Sequence, residues 1–174
     1  MSRPIVTPSG VERFFGEDQI IVSKTDLKGI ITYANDVFLK VAGYKEAEIL
    51  GKPHNIIRHP DMPACVFKLL WDRIPAGHEV FAYVINMAKN GDHYWVYAHI
   101  TPTFSASGQV IGYHSSRRVP EARILPGIKD LYAALLDEER RHASPKDGMA
   151  AAMVLVEDLL AKTGQTYDEF IHGL

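Results

Sequence analysis

Two kinds of hydrophobic periodicity divide the chain near Pro120. Before it, apolar positions come in short β-branched or aromatic runs punctuated by Gly, Asn and Pro; after it, they recur every three or four residues. Ile20-Ile21-Val22 and Ile30-Ile31-Thr32-Tyr33 flank Asp26-Leu27-Lys28-Gly29, which predicts a β-hairpin whose turn uses Gly29 for a positive φ. Asn35 is the expected cap of a short helix bearing Phe38, Val41 and Ala42, and Gly43 stops it. A second short turn from Glu46 to Leu50 ends at Gly51. Asp61 is then placed to cap a third helix with Pro63 in its first turn and Val66, Leu69, Leu70 and Ile74 on one apolar face, ending near Pro75 to Gly77. Three strand patterns follow: Val80 to Met87, His93 to Phe104 across an Asn90-Gly91 turn, and Val110 to Ser116 after a turn at Ser105 to Gly108.

Two strands, several short helices and three strands make an α+β domain, most simply a five-stranded antiparallel sheet with the helices on one face. Beyond Pro120 a C-terminal helical extension is expected. Ile128, Leu131, Tyr132, Leu135 and Leu136 mark one helix, and Met149, Met153, Val156 and Leu160 mark another that starts after Ser144-Pro145 and ends at Gly164. Thr166 and Glu169 have capping-box spacing for a last short helix ending near Gly173. Their caps and breaks fit a compact appendage better than a signalling rod. Ahead of the sheet, Pro4, Pro8, Gly10, Val11 and Phe14-Phe15 suggest a loose tail ending in an apolar cap. The resulting division is a tail at 1–19, a domain at 20–119 and an extension at 120–174.

Composition narrows the partners. The 174 residues are 47% hydrophobic, enough for a packed core, and their 21 acids and 19 bases are mixed along the chain. No basic stripe advertises nucleic acid and no polybasic run a membrane, so a small molecule or a protein is the expected partner. No apolar run approaches the ~20 residues of a membrane span, and Met1-Ser-Arg-Pro4 lacks the apolar stretch of a signal peptide. With a single Cys65, read as a small core residue, a cytoplasmic location is expected. Phosphate-loop, Gly-x-Ser-x-Gly, His-Glu-x-x-His, kinase and cyclase motifs are missing from the sequence, which is therefore read as non-enzymatic.

Two segments carry candidate chemistry: Gly51-Lys-Pro-His-Asn-Ile-Ile-Arg-His-Pro-Asp-Met-Pro63 and Lys89-Asn-Gly-Asp-His-Tyr-Trp-Val-Tyr-Ala98. With the order of strands and helices around them, they resemble PAS domains of the aerotaxis-receptor type over residues 20 to 118. The resemblance implies a PAS fold and a flavin, FAD, lying between the sheet and the first segment, in which Arg58, His59 and Asp61 match residues needed to hold it. A guanidinium suits a pyrophosphate or a ring carbonyl, and an imidazole can change its hydrogen bonding when a flavin gains electrons and a proton. Spacing alone equally allows Arg58 and Asp61 to pair with each other while Asp61 caps the helix. Asn35, His54 and Trp71 also belong to the candidate cofactor-binding set.

Strand alternation puts Tyr94, Val96, Ala98 and Ile100 on one face and His93, Trp95, Tyr97 and His99 on the other. Similarity to flavin-binding light-sensing PAS domains assigns the first set to the pocket, with Asn86 and His114. There Asn86 matches a ring-contacting asparagine, His114 replaces a glutamine and Val96 replaces a second asparagine. The light sensors' reactive cysteine corresponds to His54, so a cysteinyl photoadduct is not expected. Val80 stands where aerotaxis receptors carry a Trp.

Trp95, Tyr97, Tyr83 and Tyr113 are expected on the outer face, where an aromatic stripe calls for cover from the Phe14-Phe15 segment, the C-terminal helices or a second subunit in a homodimer. Three functions follow. The first is a cytoplasmic redox or oxygen sensor that binds FAD, or FMN, and passes its signal to a protein partner of an aerotaxis- or chemotaxis-type pathway. The others are a haem b gas sensor, with His54 or His59 as ligand, and a cofactor-free interaction module.

Overall fold

A computed structural model of the chain describes residues 6–174; of the expected tail, Pro4 lies outside them. Five strands, β1 (Ile21–Thr25), β2 (Ile31–Ala34), β3 (Val80–Met87), β4 (His93–Phe104) and β5 (Val110–Arg118), form one sheet. Every neighbouring pair is antiparallel, as the pattern predicts, and the strand order is β2-β1-β5-β4-β3. Gly29 turns the first hairpin at φ 76°. Between β2 and β3 the chain forms α1 (Asp36–Ala42), α2 (Glu46–Ile49), a 3₁₀ turn (His54–Ile57) and α3 (Ala64–Arg73). Ile21, Phe38, Ile49, Ile57, Val80 and Val96, each no more than 1% exposed, anchor these elements to the inner sheet face. Complete burial of one such side chain contributes about 1.5–3 kcal/mol.

The caps show which local rules hold. Asn35 caps α1, its Oδ1 accepting from the Phe38 and Val22 N–H groups at 3.0 Å each while its Nδ2 donates to the Ile20 carbonyl at 2.8 Å. The expected Asp61 cap on α3 is not what forms. Pro63 occupies the cap position, without a side-chain acceptor of its own, and Asp61 is exposed and pairs with Arg140 at 3.1 Å. The carboxylate that takes the free N–H groups of α3 belongs to Glu139, which accepts from Ala64 at 3.1 Å and Cys65 at 2.9 Å.

Glu139 lies near the end of α4 (Leu125–Arg140), the first of three helices that continue with α5 (Pro145–Thr163) and α6 (Tyr167–His172). These helices pack against α3 and the β3 edge. The Tyr132 hydroxyl donates to the Tyr83 carbonyl at 2.5 Å and the Tyr167 hydroxyl to the Phe81 carbonyl at 2.7 Å, so two tyrosines satisfy β3 acceptors that no further strand takes. Where α4 and α5 cross, Gly148 lies so close to α4 that a Cβ there would come within 2.3 Å of the Glu139 carbonyl oxygen.

The outer aromatic stripe is covered within the chain. Trp95 and Tyr83 are buried, with Trp95 facing the Tyr132 ring at 6.0 Å, and Phe81 meets His172 of α6 edge-on at 4.5 Å. No second subunit is needed to hide Trp95 and Tyr83. The segment expected as a loose tail is instead bonded along the start of β4: Ser9 N–H donates to the Gly91 carbonyl at 2.9 Å, His93 N–H to Val11 at 2.9 Å, and Arg13 N–H to His93 at 2.7 Å. Arg13 also bonds Asp92 at 2.8 Å and the Val41 carbonyl at 2.9 Å. Of the expected apolar cap, Phe15 packs on the core while Phe14 is 81% exposed.

Candidate functional site

Between α3, the 3₁₀ turn and the inner sheet face lies a cavity of about 470 Å³, within the range of small-molecule sites. Ile57, Leu70, Ile74, Val84, Ala98 and Ile100 make its apolar walls, Trp71 and Tyr113 meet edge to face at 5.7 Å beside it, and Ser23, His54, Arg58, Asn86, Ser115 and Arg117 add polar groups. Met149 of α5 also reaches its lining.

Cross-strand register decides which β5 residues face inward. Ala98 is opposite Arg117, Ile100 opposite Ser115 and Pro102 opposite Tyr113, whereas His114 is opposite Thr101. Since paired residues share a face, Arg117, Ser115 and Tyr113 line the cavity and His114 points to the outer side. The expectations for His114 and Tyr113 are therefore each reversed. Arg117, Ser23 and Ser115 were not singled out from sequence; strict alternation from a correctly registered β5 would have found Arg117 and Ser115.

The remaining expected residues separate into two groups. His54, Arg58, Trp71 and Asn86 line the cavity, with the Arg58 guanidinium 4.6 Å from the Phe67 ring and Trp71 43% exposed at the mouth. Tyr94 and Val96 are on the expected face, fully buried behind the cavity wall. Asn35 is outside the lining, its amide engaged at the α1 cap, and Asp61 is on the surface beside Arg140. His59 is 3% exposed and also outside the lining; its Nδ1 accepts from the Asp61 N–H at 3.1 Å and its ring meets His93 edge-on at 5.7 Å. Burial lowers the His59 pKa, with Asp61 opposing.

A connected polar group crosses the cavity wall. Arg117 Nη2 donates to the Ser23 hydroxyl at 2.6 Å, and that hydroxyl is 3.0 Å from His54 Nε2. Burial, helped by the nearby Arg117 charge, pushes the His54 pKa down to about 3, so the imidazole is neutral. Burial also brings the Arg117 pKa down to about 10, leaving it charged at neutral pH. Among the described residues, three side chains retain buried polar atoms without a hydrogen-bond partner: Asn86 at Nδ2, Tyr94 at its hydroxyl, and Arg117 at Nε and Nη1. Cys65, whose thiol burial pushes up to about 12, is an inert core residue. Among the described residues no cluster of three His, Cys, Asp or Glu side chains could hold a metal ion, and no helix is long and apolar enough to cross a membrane.

Comparison with known proteins agrees with this architecture. A family described as the PAS fold matches residues 31–117. The aerotaxis receptor of Escherichia coli (strain K12) is 40% identical over 134 residues, covering 77% of this chain and 26% of the receptor. A blue-light-activated histidine kinase of Brucella abortus (strain 2308) is 32% identical over 88 residues, 50% of this chain and 18% of the kinase. The chain thus spans about a quarter or less of the length of either relative. Among solved structures, the light-state LOV domain of the blue-light photoreceptor Aureochrome1 superposes with a TM-score of 0.56 at 21% identity, over 63% of this chain and 91% of that domain. At that identity the likeness concerns the fold. With its five-stranded sheet, its short helices over one face and a match across half its length, this chain belongs to the PAS family.

Proposed function

We propose that this PAS domain is a sensor that holds FAD in the cavity and reports redox state or oxygen to a signalling partner. The observation that carries the reading is the unspent hydrogen-bonding capacity of Asn86 and Arg117, two cavity-lining side chains with unpartnered N–H groups among apolar walls. Buried donors of this kind ordinarily find acceptors. A planar ring edged with carbonyl oxygens and ring nitrogens supplies them while its faces meet the apolar walls. Asn86 and Arg117 would hold the polar edge, Trp71 would cover the mouth, and Arg58 would serve a phosphate or a carbonyl. When bound, the flavin supplies reversible electron and proton uptake.

His59 and Asp61 support the site from outside, by fixing the chain that leads from Arg58 into α3. Two routes lead outward from the cavity. Arg117 and Ser23 belong to β5 and β1, and α3 is tied to α4 through Glu139, so a change at the ring can reach the C-terminal helices.

Titration of the apoprotein with FAD and FMN, read by flavin fluorescence, tests the proposal. Wild-type protein should bind FAD, and Asn86→Leu should weaken it about two- to tenfold, the equivalent of one lost hydrogen bond. Preference for FMN would change the flavin assigned, and binding of neither would refute the reading. A Soret band on haem addition would favour haem; among the described residues His54 is the histidine that lines the cavity.

A further inference from the structure

Arg117 is a buried charge with no buried counter-charge. It is 2% exposed, its single hydrogen-bond acceptor is the Ser23 hydroxyl, and no carboxylate lies within ion-pair distance of it among the described residues. Its guanidinium lies 4.5 Å from the Phe38 ring, and its Nε and Nη1 are unpartnered. The other cations of the lining differ: Lys68 pairs with Asp72, Lys28 is exposed, and Arg58 is only half-buried. Removing a guanidinium from water without a partner is strongly unfavourable. A neutral ligand can occupy the free N–H groups but leaves the charge unbalanced; a ligand that becomes negative balances it.

We propose that Arg117 is the counter-charge for the negative charge a bound flavin ring gains on reduction, so that this cavity holds reduced flavin more tightly than oxidised flavin. The proposal rests on the flavin reading above. An external electron donor supplies two electrons to the ring and solvent supplies one proton, which bonds to ring nitrogen N5. The second proton is not taken up, and the remaining negative charge is shared by N1 and the adjacent carbonyl oxygen. Arg117 stabilises that state through charge-assisted hydrogen bonds, and the buried Ser23–Arg117 contact on β1 and β5 registers it.

The test is the reduction potential of the full chain loaded with FAD and titrated with dithionite, for wild type and Arg117→Met, across roughly pH 5.5 to 8. For wild type the potential should fall by about 30 mV per pH unit, because a tenfold change in proton concentration acts through one proton per two electrons. Arg117→Met should lower the preference for reduced over oxidised flavin at least tenfold, a shift of about 30 mV. A wild-type slope of about 60 mV per pH unit, meaning equal numbers of protons and electrons, overturns the proposal. So does an unshifted potential in Arg117→Met. Should that variant fail to fold, the wild-type slope decides alone. Wild-type protein that takes up no flavin defeats the functional reading itself, a result distinguished by its lack of colour.

Discussion

Mild acid should weaken the fold through His54, before the carboxylates titrate. In the unfolded chain its imidazole takes a proton near pH 6.5, while in the fold burial and the Arg117 charge hold its pKa down to about 3. Between those values the unfolded state binds a proton that the folded state refuses, so stability falls as pH falls. From pH 7 to about pH 5 the loss works out at about 2 kcal/mol, at 1.36 kcal/mol per pH unit over the interval in which only the unfolded chain is protonated. His59 and His114 are lowered in the same direction and add to the loss. Asp92, pulled down to about 2 by Ser9, Arg13 and Asn90, acts in the same sense but only below about pH 4, as the unfolded carboxylate begins to protonate. Urea denaturation of the apoprotein at a series of pH values, for wild type and His54→Gln, isolates the effect. The stability gap between the two should change by about 2 kcal/mol from pH 7 to about pH 5. Parallel pH profiles would show that His54 takes up its proton in the folded state and would refute the argument.

Two further predictions concern the helical extension. Glu139→Ala removes the acceptor for the Ala64 and Cys65 N–H groups and should cost about 1–2 kcal/mol in urea denaturation; an unchanged midpoint would mean that water caps α3 equally well. Gly148→Ala should destabilise by about 1–3 kcal/mol, because the added Cβ would force α4 and α5 apart. Helix propensity alone predicts a gain of up to about 1 kcal/mol, so the sign of the change decides.

Much of the fold was legible because its determinants are local. Gly29, Asn35, Gly43 and the Asn90-Gly91 turn announce their conformations within four residues, and alternation along β4 gave the correct inner face. The failures involve partners distant in sequence. Asp61 has the right residue type for a cap, yet it lies two residues ahead of the cap position that Pro63 takes, and Glu139 reaches α3 from across the fold. On β5 the similarity to light sensors puts His114 inward, one residue out of phase with Tyr113, Ser115 and Arg117, and because side chains alternate with period two such a slip exchanges the two faces. The Ser9–Arg13 segment has no strand pattern because its attachment to β4 is made by backbone groups and by the Arg13–Asp92 pair. His59 shows a different limit: the motif marks it as a candidate, and its ring is buried outside the cavity lining, accepting from the Asp61 N–H.

The central claim is that a flavin occupies the cavity bounded by Asn86 and Arg117. The most direct measurement is the visible absorption spectrum of the protein purified under native conditions, followed by release and identification of its chromophore. A flavin double band that bleaches on reduction, with FAD released on denaturation, is the predicted result. A Soret band would contradict the account, and so would a colourless folded protein that stays colourless after incubation with FAD.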